Sequence, residues 1–257
     1  MADWDGKGYE QISDLQRHLA ERTLAELVFA GSERLLDVGC GDGFVTRAIA
    51  ARLPHGSVVG IDASPRMIKV ATSRPDPAGA VVSFQVGDVR EMTFVDEFDI
   101  VVSFNVLHWL VDQHAALSAI ARAVKPGGRV IVQMVCAGRR TSLEQLAMDV
   151  CRRRQWHSAF ADFAAPFIHV DPVEYPEIAT AAGLVVTAQQ VDDISWDFGS
   201  RAAFTSWCTV GFADWTARLD PDSVGPWVDE VVDDYQSLVG RPGLFRFMQL
   251  RAELTPA

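Results

Sequence analysis

Between Arg34 and Phe44 an apolar strand, Leu35-Leu36-Asp37-Val38, runs directly into three glycines spaced two apart, Gly39, Gly41 and Gly43. A chain leaving a strand in this way must reverse sharply, and glycine alone takes positive φ without penalty while offering bare backbone for a ligand to lie against. The segment therefore reads as a cofactor-holding turn at the start of a helix. A dinucleotide fingerprint needs its third glycine three positions after the second, and Phe44 stands there instead. The spacing is G-x-G-x-G, with the acidic Asp37 just ahead of it.

Around this turn, short apolar strands alternate with helical patterns, the signature of a parallel sheet wound with helices on both faces. Strands are expected near residues 34–38, 57–61, 81–86, 98–104 and 128–135, then 184–191 and 244–250. Val45, Ala48, Ile49 and Leu53 repeat at helical spacing, as do Leu117, Ile120 and Val124, and Lys125-Pro126-Gly127-Gly128 turns the latter helix into a strand. After residue 137 the alternation loosens. Amphipathic helices around Leu143–Cys151, Phe204–Trp215 and Val228–Leu238 enclose an aromatic-rich segment from Trp156 to Phe167, and five of the seven tryptophans lie at or beyond Trp156. Together they suggest an apolar chamber over the cofactor.

Composition narrows the partners. A formal net charge of −11 opposes nucleic acid and anionic lipid, and Arg152-Arg153-Arg154 reads as a solvated helix face. No apolar run approaches the roughly 20 residues that cross a bilayer. The acidic start, Asp3 and Asp5, has no signal-peptide character, so a cytoplasmic protein is expected. Cys40, Cys136, Cys151 and Cys208 show neither CxxC spacing nor a nearby histidine pair, so no metal site and no disulfide framework is expected. The acceptor should be a small molecule and the protein a monomer or homodimer.

Further motifs follow in order. Val58-Val59-Gly60-Ile61 ends in Asp62, placed to accept from both hydroxyls of a ribose, while Ser64 before Pro65 is the better helix cap. Ala63 and Met67 lie beside this acid. Phe84-Gln85-Val86 ends in Gly87-Asp88-Val89, and Phe98-Asp99-Ile100-Val101-Val102-Ser103 follows. In this order the motifs resemble those of the class I S-adenosylmethionine (SAM) dependent methyltransferases. The resemblance implies an α/β fold: a seven-stranded, mostly parallel Rossmann-like sheet whose last strand is antiparallel, with a helical cap. It implies a helical lid over residues 1–30, then a methyltransferase domain over 31–257 with cap insertions at about 137–170 and 197–240. It implies SAM as cofactor, leaving as S-adenosylhomocysteine (SAH). Gly39, Gly41 and Gly43 would cradle the methionine moiety and Asp37 accept from its ammonium. Asp62 would hold the ribose, Ala63 and Met67 flank the adenine and Asp88 take its amino group, with Val89 and Asn105 completing the set.

Past the fourth strand, Asn105-Val106-Leu107-His108-Trp109 resembles the Leu-His-Trp segment of the salicylate-type and juvenile-hormone-acid carboxyl methyltransferases, and more loosely the Leu-Gln-Trp of trans-aconitate methyltransferase. Those plant and insect relatives clamp the acceptor carboxylate with a tryptophan and with a glutamine in a Ser-x-x-Gln context; Ser13 and Gln16 stand at that spacing, and Trp4 and Tyr9 would belong to the closing lid. A carboxylate of pKa about 4 needs no base, whereas a phenol or alcohol does. The catalytic candidates are Gln16, Trp109 and His108. Plainer readings stand beside them: Gln16 as a helix flank, Trp109 as core, His108 as a structural histidine. The favoured expectation is an O-methyltransferase of small molecules with a carboxylate acceptor. The alternatives are a hydroxyl-directed enzyme (sugar, phenol or polyketide) with a histidine base and metal assistance, and a SAM-binding partner protein without turnover.

Overall fold

The computed structural model describes residues 14–257. Residues 1–13 of the expected lid segment, with Trp4, Tyr9 and Ser13, lie outside the described residues. Seven strands form one sheet: β1 (Arg34–Val38), β2 (Ser57–Asp62), β3 (Val82–Val86), β4 (Phe98–Phe104), β5 (Val124–Val135), β6 (Leu184–Asp197) and β7 (Leu244–Pro256). Their spatial order is β3-β2-β1-β4-β5-β7-β6. β1 to β5 pair in parallel, and β7 runs antiparallel between β5 and β6. The strand order reverses between β1 and β4, and in open α/β sheets the crevice outside the carboxyl ends at such a point is where ligands bind.

The central strands are mostly apolar, with Asp37 and Ser103 among the polar exceptions, because helices cover both sheet faces. One apolar layer joins Leu36, Val101, Leu117, Ile120 and Val130, and the opposite one joins Leu35, Ile49, Leu53, Ile100 and Ile131 to Ala20 and Leu24 of α1 (Asp14–Glu26). α2 (Phe44–Ala50) opens at Gly43, and α3 (Pro65–Ser73) is capped by Ser64, whose hydroxyl accepts from the Met67 amide at 3.2 Å. Asp112 caps α4 (Gln113–Ala123) in the same way, accepting from the Ala115 amide at 2.9 Å. The expected Lys125–Gly128 turn is an irregularity within β5. Between the Phe98↔Val124 and Ile100↔Arg129 pairs β5 advances farther than β4, and Gly127 takes φ +79°.

Beyond β5 the chain builds a second apolar cluster from α5 (Leu143–Cys151), α7 (Arg201–Gly211), α8 (Ala213–Thr216) and α9 (Pro221–Val239), following α6 (Tyr175–Ala181). Trp215, Trp227, Phe204 and Tyr235 are fully buried in it. β6 and β7 run past the lengths expected from sequence because they pair with each other beyond the reach of β5. β5 ends opposite Gln249 at Val135, while Leu244 to Met248 continue against Asp197 to Asp193. That extension carries Phe245 and Phe247 into the helical cluster. Arg153, expected as part of a solvated face, instead donates to Glu230 at 2.9 Å and pairs with Asp234, tying the segment after α5 to α9.

Candidate active site

The glycine turn leaves β1 at the point where strand order reverses. Gly39, Gly41 and Gly43 all have positive φ, at +75°, +53° and +75°. The Gly39 and Cys40 amides both donate to the Ile61 carbonyl, at 2.8 and 2.9 Å, which fastens the turn to the end of β2. Each glycine has its own reason. A methyl at Gly39 would meet Val106 Cγ2 at 2.2 Å, and one at Gly43 would meet the Phe84 ring at 2.7 Å, but one at Gly41 meets nothing within 4 Å. Gly41 faces open space because it borders a cavity.

That cavity, of about 150 Å³, is lined by Gly39, Gly41, Asp62, Ser64, Met67 and Asn105 at one end. At the other end stand Gln16, His108, Trp109, Glu144 and the aromatic rings of Trp207, Phe212, Phe245 and Phe247. A smaller cavity beside it is walled by Gln16, Arg17, Asp37, Gly39, Gly41, Asp42 and Asn105. Gly43, Ala63, Asp88 and Val89 line neither. Asp88 caps the short helical turn Val89–Glu91 and is engaged by the Arg90 guanidinium at 2.5 Å, which holds its carboxyl below the usual range.

Asp62 is oriented by two backbone donors. Its Oδ2 accepts from the Gly41 amide at 2.9 Å and its Oδ1 from the Ser64 amide at 2.8 Å. Burial raises its pKa, with those two hydrogen bonds opposing the shift. Asp37 is deeper, at 2% exposure, and accepts from the Thr46 hydroxyl at 2.7 Å. Burial pushes its carboxyl up to about 7; the Thr46 bond opposes this and the charge of Asp62 adds to it. Two acids so close, with no cation on Asp37 among the described residues, suit a ligand that brings a positive charge on one side and hydroxyls on the other. The α-ammonium and ribose of SAM fit that demand. Asn105, at φ +61°, turns the chain after β4 so that Val106 packs on Gly39.

Arg17 and Asp42 were not singled out in the sequence. Arg17 donates to Asp42 at 2.8 Å and lies 4.7 Å above the Phe44 ring, while Arg74 reaches the same carboxylate at 3.1 Å. α1 is thereby docked onto the glycine turn. The adjacent Gln16 lines both cavities, and its buried Oε1 has no hydrogen-bond partner among the described residues.

His108 and Trp109 sit on the single helical turn Leu107–Trp109 that follows β4. His108 is 3% exposed, and its Nδ1 accepts from the Val135 amide at 3.4 Å. Burial, and secondarily His169, keeps its pKa well below 6.5, so it is a neutral ring with its proton on Nε2. Trp109 packs edge-on to Trp215 at 6.4 Å. Glu144 was also missed, although its spacing with Ala147, Met148 and Cys151 puts it on the buried face of α5. Among the described residues no group of histidine, cysteine and acidic side chains could hold a metal ion, and no helix is long and apolar enough to cross a membrane.

Residues 36–132 match the family described as a methyltransferase domain. The chain is 30% identical to the trans-aconitate 2-methyltransferase of Streptomyces avermitilis, over 71% of this chain and 70% of that one. Its fold is similar to that of the YcgJ protein of Bacillus subtilis (TM-score 0.67, 19% identity, 93% of this chain and 98% of that one). It is also similar to a Haemonchus contortus phosphoethanolamine N-methyltransferase solved with SAH (TM-score 0.63, 21% identity, 99% of this chain and 58% of that one). The chain belongs to the class I SAM-dependent methyltransferases, and SAM is its cofactor. Within that class it resembles the trans-aconitate methyltransferases.

Proposed function

We propose that this enzyme methylates an oxygen of a small, largely apolar acceptor, and that the oxygen belongs to a single carboxylate. SAM, when bound, supplies a sulfonium methyl; the chain's residues hold and align the partner that attacks it. Alignment of two reactants can lower a barrier by about 7–11 kcal/mol, so a site need not supply a base when the nucleophile is already ionised. The observation that carries the reading is the convergence of Gln16, His108 and Trp109 on the cavity that Gly41 and Asp62 also line. All three offer neutral N–H groups. His108 in particular has its Nδ1 occupied by the Val135 amide, which leaves Nε2–H to donate and makes it a poor base. Such donors orient a carboxylate without protonating it.

The cofactor end is assigned alongside: Gly39, Gly41 and Asp37 to the methionine moiety, Asp62 to the ribose and Met67 to the adenine. The helices α5, α7 and α9 serve as the cap, and α1 as a wall that excludes water during transfer. Trans-aconitate itself, with three carboxylates, suits this chamber poorly. Among the described residues its lining contains no lysine or arginine, and its charged groups are Asp62 and Glu144.

Gln16→Ala and Trp109→Phe should each lower kcat/KM on apolar monocarboxylic acids by about tenfold to a hundredfold, equivalent to about 1–3 kcal/mol per lost donor. At saturating SAM, where the titration of Asp37 no longer limits cofactor binding, the rate should also hold between pH 8 and pH 6, because no base is consumed. Full activity in both variants would overturn the carboxylate clamp. A collapse of the wild-type rate at the acid end would favour the hydroxyl-directed chemistry.

A further inference from the structure

Among the described residues Glu144 has no partner suited to a buried carboxylate. Its side chain is 9% exposed, it lines the acceptor end of the cavity, and it accepts no hydrogen bond from any described residue. The nearest basic group is His169 Nε2 at 3.8 Å, beyond hydrogen-bond reach, and that nitrogen has no other partner among the described residues. Phe167 lies against the His169 ring at 4.7 Å, and burial lowers its pKa even though Glu144 acts to raise it. The other polar groups near Glu144 are Cys208, which is buried, and Tyr235, whose hydroxyl is taken up by the Arg246 backbone. Buried carboxylates are ordinarily paired or hydrogen-bonded, and a lone one that borders a cavity is a socket for a donor brought by a ligand.

We propose that Glu144 is the specificity-determining residue of the acceptor chamber. It receives a hydrogen-bond donor, hydroxyl or ammonium, that the acceptor carries away from the group being methylated, and it turns away acceptors with a second carboxylate in that place. This deepens the reading above and rests on the same chamber. The two ends of the acceptor are then recognised by opposite chemistry. Neutral donors on α1 and on the turn after β4 take the carboxylate, an acceptor on α5 takes the distal donor, and Trp207, Phe212, Phe245 and Phe247 enclose the apolar body between them. A site built to hydrogen-bond one group discriminates strongly against analogues that leave it unpaired or oppose its charge.

The test uses medium-chain acids of several lengths, each with a distal hydroxyl, amine, methyl or carboxylate, and compares wild type with Glu144→Gln. Wild type should favour the hydroxy acid over the matching diacid by about tenfold or more in kcat/KM. Glu144→Gln should erase most of that ratio, chiefly by gaining on the diacid, with SAH affinity unchanged by calorimetry. If ammonium is the natural donor, the amino acid probe should lead in wild type and lose most in the variant; if hydroxyl is, the hydroxy acid should lead. An unchanged hydroxy-to-diacid ratio in Glu144→Gln, or a wild-type preference for the diacid, would overturn the proposal. If no acid is turned over, that counts against the carboxylate reading alone. The same ratios, measured as binding to the SAH-loaded protein, then decide the role of Glu144.

Discussion

Replacing each motif glycine by alanine should separate folding from cofactor binding. All three sit at positive φ, where a Cβ costs about 1–2 kcal/mol. At Gly39 the new methyl also lies 2.2 and 2.6 Å from the two Cγ atoms of Val106. Val106 has little freedom to retreat, because its carbonyl accepts from the Trp109 amide at 2.9 Å within the turn that follows β4. Overpacking of this kind adds about 1–3 kcal/mol, so Gly39→Ala should cost about 2–5 kcal/mol. For a domain of this size that is roughly 5–20 °C in Tm. Gly41→Ala meets no atom within 4 Å and should cost only the conformational share, roughly 2–8 °C. Its methyl, however, projects toward the cavity that Gly41 lines, and SAH affinity should fall by tenfold or more. Thermal melts and calorimetric SAH titration on the two variants, with Val106→Ala added to Gly39→Ala as a relief of the clash, make the comparison. If Gly41→Ala binds SAH like wild type, or melts as low as Gly39→Ala, the assignment of these glycines is wrong.

Two further expectations concern single side chains. Burial pushes the Asp37 carboxyl up to about 7, while the same group in the unfolded chain titrates near 4; folded protein therefore holds a proton that unfolded protein releases, and the stability contribution of Asp37 falls as pH rises from about 4 to about 7. An ammonium arriving beside it reverses the shift, so SAH binding at pH 6 should release a proton and tighten toward pH 7, and titrations in buffers of different ionisation enthalpy that show no release, or the same release in Asp37→Asn, would contradict this. Tyr235 is buried, donates its hydroxyl proton to the Arg246 carbonyl at 2.6 Å and accepts from the Arg246 amide at 2.8 Å. Tyr235→Phe should therefore cost about 1–3 kcal/mol in denaturant unfolding, and a loss below a few tenths would mean that this anchor between α9 and β7 carries no weight.

The sheet and the glycine turn were legible in the sequence because their constraints are local. Strand, glycine turn and helix cap are each written in a few consecutive residues, as at Leu35–Gly43 and at Asp62–Pro65. Two backbone amides position Asp62, so its orientation follows from where β2 ends. The acceptor end was legible only in part. Gln16, His108 and Trp109 do border one cavity, but its remaining wall comes from α5, α7 and β7, which are distant in sequence and meet only through packing. Glu144 carried a readable signal, a charge at helical spacing with buried neighbours, yet in a stretch of apolar residues it passes for the edge of the stripe. Arg17 carried none, since its partner Asp42 lies in the glycine turn and no periodicity links them. The extra length of β6 and β7 was hidden for the same reason: a strand pairing past the edge of a sheet has no marker of its own.

What joins the two ends is α1. Its seat is fixed by Arg17 on Asp42 and Phe44, which belong to the glycine turn and the first residue of α2, and by Thr23 bonding the side chain of Gln133 on β5. Gln16 precedes Arg17 by one residue and lines both cavities, so the position of the proposed donor to the acceptor is set by the contact that seats α1 on the glycine turn. The turn proposed to hold SAM is thus also a fixture for the proposed acceptor site. A perturbation of Asp42 that leaves every glycine in place should therefore be felt at Gln16, because the helix bearing it is registered on that carboxylate. Methyl transfer depends on the separation and angle between donor methyl and attacking oxygen, to which rates are sensitive at the scale of an ångström. A shared anchor keeps the two in fixed relation while the aromatic wall, built from other elements, is free to differ in shape with the acceptor it encloses.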